Sequence, residues 1–404
     1  MIRSRKLRLI PAVRFCLLLL STLSWSAWAN TAYVANFGNN TVSLIDTETN
    51  SVSTLNVGAK PLEIAITPDG KKVYVINGDS TSISVIDTPT NTPSSIETGA
   101  SLGAVAFTPD SKTAYATSFA ENKVLIIDVA TNTVSANKLA VGTSPKGIAI
   151  TPDGKTAYVA NLADNTVSLI DIATHTVSPT TLAVGINPWG IAITPDGKSA
   201  YVTNDNHGPD PAVAGNGTVS VISIATNAVS TLTVGSLPMG VAITPDGKTV
   251  YVSNAGSGTI SRIDTATNSV SGSTISVGNI PYDIAITPDG KKAYVANGLD
   301  NTISVIDIAT NTVNSNLPFA SGAVPYAIAI TPGVKATTGG DGSGSSSGGG
   351  GSLDLLGILV LVLLSCVRQF KPRPRMQFGR ALELCERMCL LSRISPRHFF
   401  RSAI

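Results

Sequence analysis

Ile148-Ala149-Ile150-Thr151-Pro152-Asp153-Gly154-Lys155-Thr156-Ala157-Tyr158-Val159 is the unit from which most of this chain is built. An apolar segment runs into a Pro-Asp-Gly turn and leaves it on Tyr-Val. Proline presets φ at the second turn position, Asp suits the third and Gly the fourth, so the quartet reads as a type I turn joining two strands. Versions of the turn begin at Thr67, Thr108, Thr151, Thr194, Thr244, Thr287 and Thr331, and the tyrosine recurs at Tyr33, Tyr74, Tyr115, Tyr158, Tyr201, Tyr251 and Tyr294. A period of about 43 residues with room for four short strands is that of propeller blades, small sheets that bury their faces only against neighbours. The expectation is an all-β, seven-bladed propeller of four-stranded blades.

The phase of the repeat says how the ring closes. The first copy opens on the tyrosine strand at Tyr33 and the last stops after the apolar strand ending at Thr331. Residues 32 to 59 therefore supply three strands of one blade and residues 326 to 331 the fourth, which leaves no blade with a bare face.

Within each unit the three residues before the turn threonine are large apolar, Ala, large apolar, the alanines being Ala65, Ala106, Ala149, Ala192, Ala242, Ala285 and Ala329. A strand apolar on both sides is covered on both faces. The fixed small residue suits the crowded strand nearest the axis. Asp69, Asp153, Asp196, Asp246 and Asp289 are metal-ligand types, but turns spread around a ring do not converge, so they read as turn residues. Asn50, Asn91, Asn132, Asn227, Asn268 and Asn311 suit left-handed turn positions between the outer strands, and His175 takes that slot in its own blade.

Of the 404 residues, 28 are Lys or Arg and 26 are Asp or Glu, a formal charge of +2 that hides an asymmetry. Residues 30 to 338 alone hold 14 basic and 22 acidic groups, with Arg262 the sole arginine. Such a body lacks the concentrated positive face that nucleic acid requires. It also has no cysteine, and about 300 residues bury enough core to need no disulfide. Residues 1 to 29 run from Arg3, Arg5, Lys6 and Arg8 through an apolar stretch to Ala27-Trp28-Ala29, the layout of a secretory signal peptide.

The resulting division is a signal peptide over 1–29, the propeller over 30–336, a Gly/Ser-rich linker over 337–352, a short apolar transmembrane sorting helix over 353–367 and a basic tail over 368–404. The apolar stretch is short for an ordinary span. Basic residues retained inside would leave the propeller outside the cytoplasm. The domain itself is expected to be monomeric.

Where blades differ, function has room. Five residues before each turn stand Leu62, Gly103, Lys146, Trp189, Met239, Tyr282 and Tyr326, at the start of the innermost strand and therefore around one mouth of the central channel. Glu63 and Asp283 follow one residue on. Large aromatics with a few charges in a concave mouth suit ligand binding, and equally suit a plug in the channel. An insertion of nine residues after Tyr201 carries Asp205, His207 and Asp210 on a Pro/Gly-rich loop. Those three are a possible partial set for calcium or another divalent ion, with too few oxygens to complete it; no other cofactor is expected.

The motifs Tyr-Val-Ala-Asn, Asn-Thr-Val-Ser and Ile-Ala-Ile-Thr-Pro-Asp-Gly-Lys, with Tyr201-Val202-Thr203-Asn204, resemble the YVTN family of seven-bladed propellers over residues 31 to about 333. That resemblance implies relatives among surface-layer proteins, lactonases and cofactor-bearing oxidoreductases, so it leaves activity open. The C-terminal order of Gly-rich spacer, apolar helix and basic cluster is similar to the GlyGly-CTERM sorting signal, which implies a rhomboid-type protease as partner and display at the surface or release. The tail from Met376 to Ile404 departs from that pattern.

Two function classes remain. One is an exported, surface-associated, non-enzymatic module that holds a peptide, glycan or protein at the mouth through Trp189 and Tyr282, favoured by the shortage of reactive side chains. The other is a secreted lactonase-like hydrolase, lyase or isomerase working through Glu63, Asp283, Lys146 and His207 with a divalent ion.

Overall fold

The computed structural model describes residues 30–206 and 215–332. These form seven antiparallel sheets arranged as blades, and among the described residues no helix is long and apolar enough to cross a membrane. The proposed leader, linker, sorting helix and tail all lie outside the described residues, as do His207 and Asp210.

Six blades run from inner to outer strand in chain order, starting from Pro61–Ile66, Leu102–Phe107, Pro145–Ile150, Pro188–Ile193, Pro238–Ile243 and Pro281–Ile286. The seventh is composite. Its outer three strands are Thr31–Asn36, Thr41–Asp46 and Val52–Asn56, and its inner strand is Pro325–Ile330 from the far end of the domain. Tyr33 pairs with Ala329 and Val34 with Ile328, and the Thr331 N–H donates to Thr31 O at 3.0 Å while the Thr31 N–H donates to Thr331 Oγ1 at 3.0 Å. The ring closes by the register that the phase of the repeat implies.

The core lies between blades. Tyr74, Ile76 and Ile83 of one blade pack with Val105, Ala116 and Leu125 of the next, and the seam blade is packed the same way on both sides. Outer strands carry Ser, Thr and Asn and face water, which blunts their free edges.

Two local devices lock the repeat. In each Thr-Pro-Asp turn the threonine hydroxyl donates to the aspartate, at 2.6 Å in Thr67–Asp69, and the Gly70 N–H closes the turn on Thr67 O at 2.7 Å. The turn aspartates are thus occupied as turn residues. Gly70 sits at φ 72°, a left-handed position that glycine adopts without steric cost. The second device joins neighbouring blades. Six of the seven buried tyrosine hydroxyls reach the left-handed turn residue of the following blade, among them Tyr251 to Asn311 Oδ1 at 2.7 Å, Tyr201 to Asn268 at 2.6 Å, Tyr74 to Asn132 at 2.8 Å and, across the seam, Tyr294 to Asn50 at 3.3 Å. His175, at φ 53°, takes the asparagine role with Nδ1 at 2.7 Å from the Tyr115 hydroxyl.

A net hydrogen bond contributes about 1 kcal/mol. A double-mutant cycle on Tyr251→Phe and Asn311→Ala is therefore expected to give a coupling of about 0.5–1.5 kcal/mol in urea unfolding. His175→Asn is expected to leave the melting temperature within a degree or two of wild type, since asparagine is what the fold uses elsewhere; a large loss on that change would assign His175 a separate role.

Candidate functional site

Six inner strands begin at a proline and the seventh at Leu102, and each then slips register. Pro281 pairs with Asn297 and Asp283 with Ala296, so Tyr282 is left as a bulge; Pro61 and Glu63 flank Leu62 in the same manner. In the blades of Lys146, Trp189 and Met239 two residues are skipped. A bulge re-aims side chains, and here it lies at the hub end of every inner strand.

The position after the bulge explains why the hub has room for chemistry. It reads Glu63, Ala104, Gly147, Gly190, Gly240, Asp283 and Ala327 around the ring. Inner strands approach so closely that a Cβ on Gly147 would stand 2.3 Å from Trp189 O, and one on Gly190 2.5 Å from Met239 O. A Cβ on Gly240 would stand 2.6 Å from Asp283 Oδ1. Five blades therefore keep this position small, and the two that do not place carboxylates there.

Glu63, Lys146, Trp189, Met239, Tyr282, Asp283 and Tyr326 together line one cavity of about 140 Å³ at the hub. Gly103 joins them, while Leu62 turns aside toward Gly78. The aromatic groups are ordered in pairs. Tyr282 and Tyr326 stack with centroids 4.3 Å apart, Phe37 supports Tyr326 at 5.8 Å, and Lys146 Nζ lies 4.5 Å from the Trp189 ring centroid. Asp205, in the inserted loop, donates its N–H to Asn187 O at 3.2 Å.

The two acids differ in their partners. Asp283 Oδ1 accepts the Ile284 N–H at 2.8 Å and Oδ2 accepts the Ile328 N–H at 2.9 Å, the latter from the seam blade. Burial raises its pKa to about 6, opposed by those two N–H groups. Glu63 is pushed further, to about 8, first by burial and then by the charge of Asp283; Lys146 and the Ile64 N–H pull the other way. Burial pulls the Lys146 ammonium down, against the field of Glu63. The Tyr326 hydroxyl is raised by burial, then by Tyr282 and the two acids, so it stays a proton donor. Two carboxylates and one ammonium titrating together in a low-dielectric cavity form an acid–base set.

Both Asp283 oxygens accept backbone N–H groups, and among the described residues, which exclude His207 and Asp210, no three His, Cys, Asp or Glu side chains gather to hold an ion.

Residues 184–331 match the profile of the family described as Lactonase, 7-bladed beta-propeller. No curated protein matches the chain. Among solved structures, the chain is similar in fold to a protein of Bacteroides fragilis named as a 6-phosphogluconolactonase, at 19% identity and TM-score 0.61 over 76% of this chain and 99% of that one. A Bacteroides uniformis protein of the same name gives 16% identity and TM-score 0.61 over 75% and 99%. Hydrazine synthase of Kuenenia stuttgartiensis gives 23% and 0.59 over 66% and 88%. At such identities these likenesses speak for the fold.

The Lactonase match overturns the expectation of a non-enzymatic binding module. The physical reason is that a count of reactive groups over the propeller does not show where they gather. Their number is small, but Glu63, Asp283 and Lys146 converge on one cavity, and convergence is what chemistry needs. Glu63, Asp283 and Lys146 are the residues named for the lactonase-like alternative, and a further signal that marks the acid pair is a column otherwise restricted to Gly and Ala.

A carboxyl whose folded pKa is raised holds its proton in the folded state at pH values where the unfolded chain has lost it. Stability therefore falls as pH rises from about 4.5 to about 8. Glu63→Gln is expected to melt higher than wild type above pH 8, with the difference vanishing below pH 4.5. Equal melting temperatures at pH 9 would show that Glu63 carries no such penalty.

Proposed function

We propose that this chain is a lactone hydrolase whose active site is the hub cavity. The observation that carries the reading is the coupled set of Glu63, Asp283 and Lys146 facing one ring-sized cavity, and the Lactonase match over residues 184–331 supports it.

Glu63 is the general base. Asp283 has both oxygens held by backbone amides, whereas Glu63 accepts from the Ile64 N–H and keeps lone pairs for water. A base poised near the working pH is efficient. In the ionised form Glu63 takes a proton from water as the oxygen bonds to the lactone carbonyl carbon. The oxyanion so formed faces the Lys146 ammonium, a fixed charge placed where negative charge develops. Collapse breaks the ring C–O bond, the departing alkoxide takes back the proton from Glu63, and a hydroxy acid leaves. Asp283 holds the field that keeps the Glu63 carboxylate basic. Tyr282 and Tyr326 offer a stacked aromatic wall for the substrate ring.

The layout of residues 1–29 supports export of this hydrolase, and the Gly-rich, apolar and basic order of residues 337–375 supports membrane tethering before processing by a rhomboid-type protease. The YVTN-like repeat is the scaffold on which the site is carried.

Purified protein is expected to release acid from glucono-δ-lactone, with kcat/KM rising with pH through an apparent pKa near 8. Glu63→Gln is expected to lower kcat by about 10²–10⁴-fold and Lys146→Met by about 10²–10³-fold. Turnover indifferent to both substitutions would end this assignment.

A further inference from the structure

We infer that the substrate is a single-ring lactone carrying no phosphate, an inference that rests on the hydrolase reading and narrows it. Three independent features of the cavity support it. Its volume, about 140 Å³, is close to the ~150 Å³ known to accommodate one benzene ring, so the cavity is sized for a single ring. The stacked Tyr282–Tyr326 pair, with Phe37 behind it, gives a flat wall for that ring.

The third feature is charge. Phosphate sites are built from Arg forks, several cations, helix N-termini or clustered backbone N–H groups. Among the described residues lining this cavity Lys146 is the single cation, and it faces two carboxylates. Arg262, the sole arginine of residues 30–336, is spent on Ser271 and Ser273 at 2.9 and 3.0 Å on an outer strand. Residues 207–214, the part of the inserted loop outside the described residues, contain no Lys or Arg to supply a further charge. The backbone N–H groups of Ile284 and Ile328 already donate to Asp283. A phosphate dianion brought to this cavity finds a single cation shared with two carboxyl groups, and no Arg fork or cluster of cations to receive it.

The test compares glucono-δ-lactone with its 6-phosphate, which differ only in the phosphoryl group, by initial rates of acid release with the full chain, with inorganic phosphate as a second probe. The expected result is kcat/KM at least 100-fold higher for the neutral lactone and no competitive inhibition by 10 mM phosphate. Equal or better turnover of the 6-phosphate, or competition by phosphate, overturns the inference and leaves the hydrolase reading standing. Turnover of neither lactone, at rates matching those of Glu63→Gln, overturns both.

Discussion

The pairing of Thr31–Asn36 with Pro325–Ile330 is the contact on which everything else in this molecule depends. Without it the sheet assembly is an open arc with two unprotected faces. With it, residues nearly 300 positions apart in the chain share one blade, and the hub becomes a closed wall. The consequence for chemistry is direct, because the acid pair straddles this seam. Tyr326 lies on the sealing strand, Asp283 on the blade to one side and Glu63 on the blade to the other, and the sealing strand's Ile328 N–H holds Asp283 in place. An opened ring would lose the site before it lost most of its sheets.

The fold separates where stability is made from where it is given up. Stability comes from apolar packing between blades and from the tyrosine clasps far from the axis, all repeated so that no single one is critical. The hub is the reverse. Two carboxylates and an ammonium sit there against their desolvation, and non-glycine residues before the inner-strand prolines adopt left-handed backbone, Ile280 at φ 51° and Val324 at φ 48° among them. β-branched residues are genuine outliers in that region, and such strain persists only where surrounding structure dictates it. Here Asn301 Oδ1 accepts the Val324 N–H at 2.9 Å, an example of the support that fixes the strained mouth.

The repeat made the blade count, the seam and the mouth column readable before any coordinates, because each follows from local pattern: turn chemistry, alternation of apolar residues, and the phase at which copies start and stop. Asn50 and His175 could be placed in left-handed turns for the same reason. What local pattern does not reveal is interaction across blades. The clasp from Tyr115 to His175 joins residues 60 positions apart, and only its recurrence in other copies hints at it. Glu63 and Asp283 are 220 positions apart, and their coupling exists only once the circle is complete. An acid in a sequence has its ordinary pKa; an acid in a crowded ring beside another does not. That difference separated a reading of aromatic anchors from one of an acid–base site.

The pair of carboxyl groups that would disfavour a dianionic substrate also bears on the proposed turnover. In the proposed reaction, lactone opening converts a neutral ring into a carboxylate beside Asp283, whose ionised form is held by two backbone amides. The substrate enters with no charge to be repelled and the product leaves with one, so binding discriminates between them in the direction that favours release. Lys146 does not reverse this, since its charge is shared with Glu63 and lies over the Trp189 ring. An excess of one half-buried carboxyl group over the available cation, which looks like a defect when judged as a contribution to folding, thus suits the proposed hydrolysis, whose product is an anion.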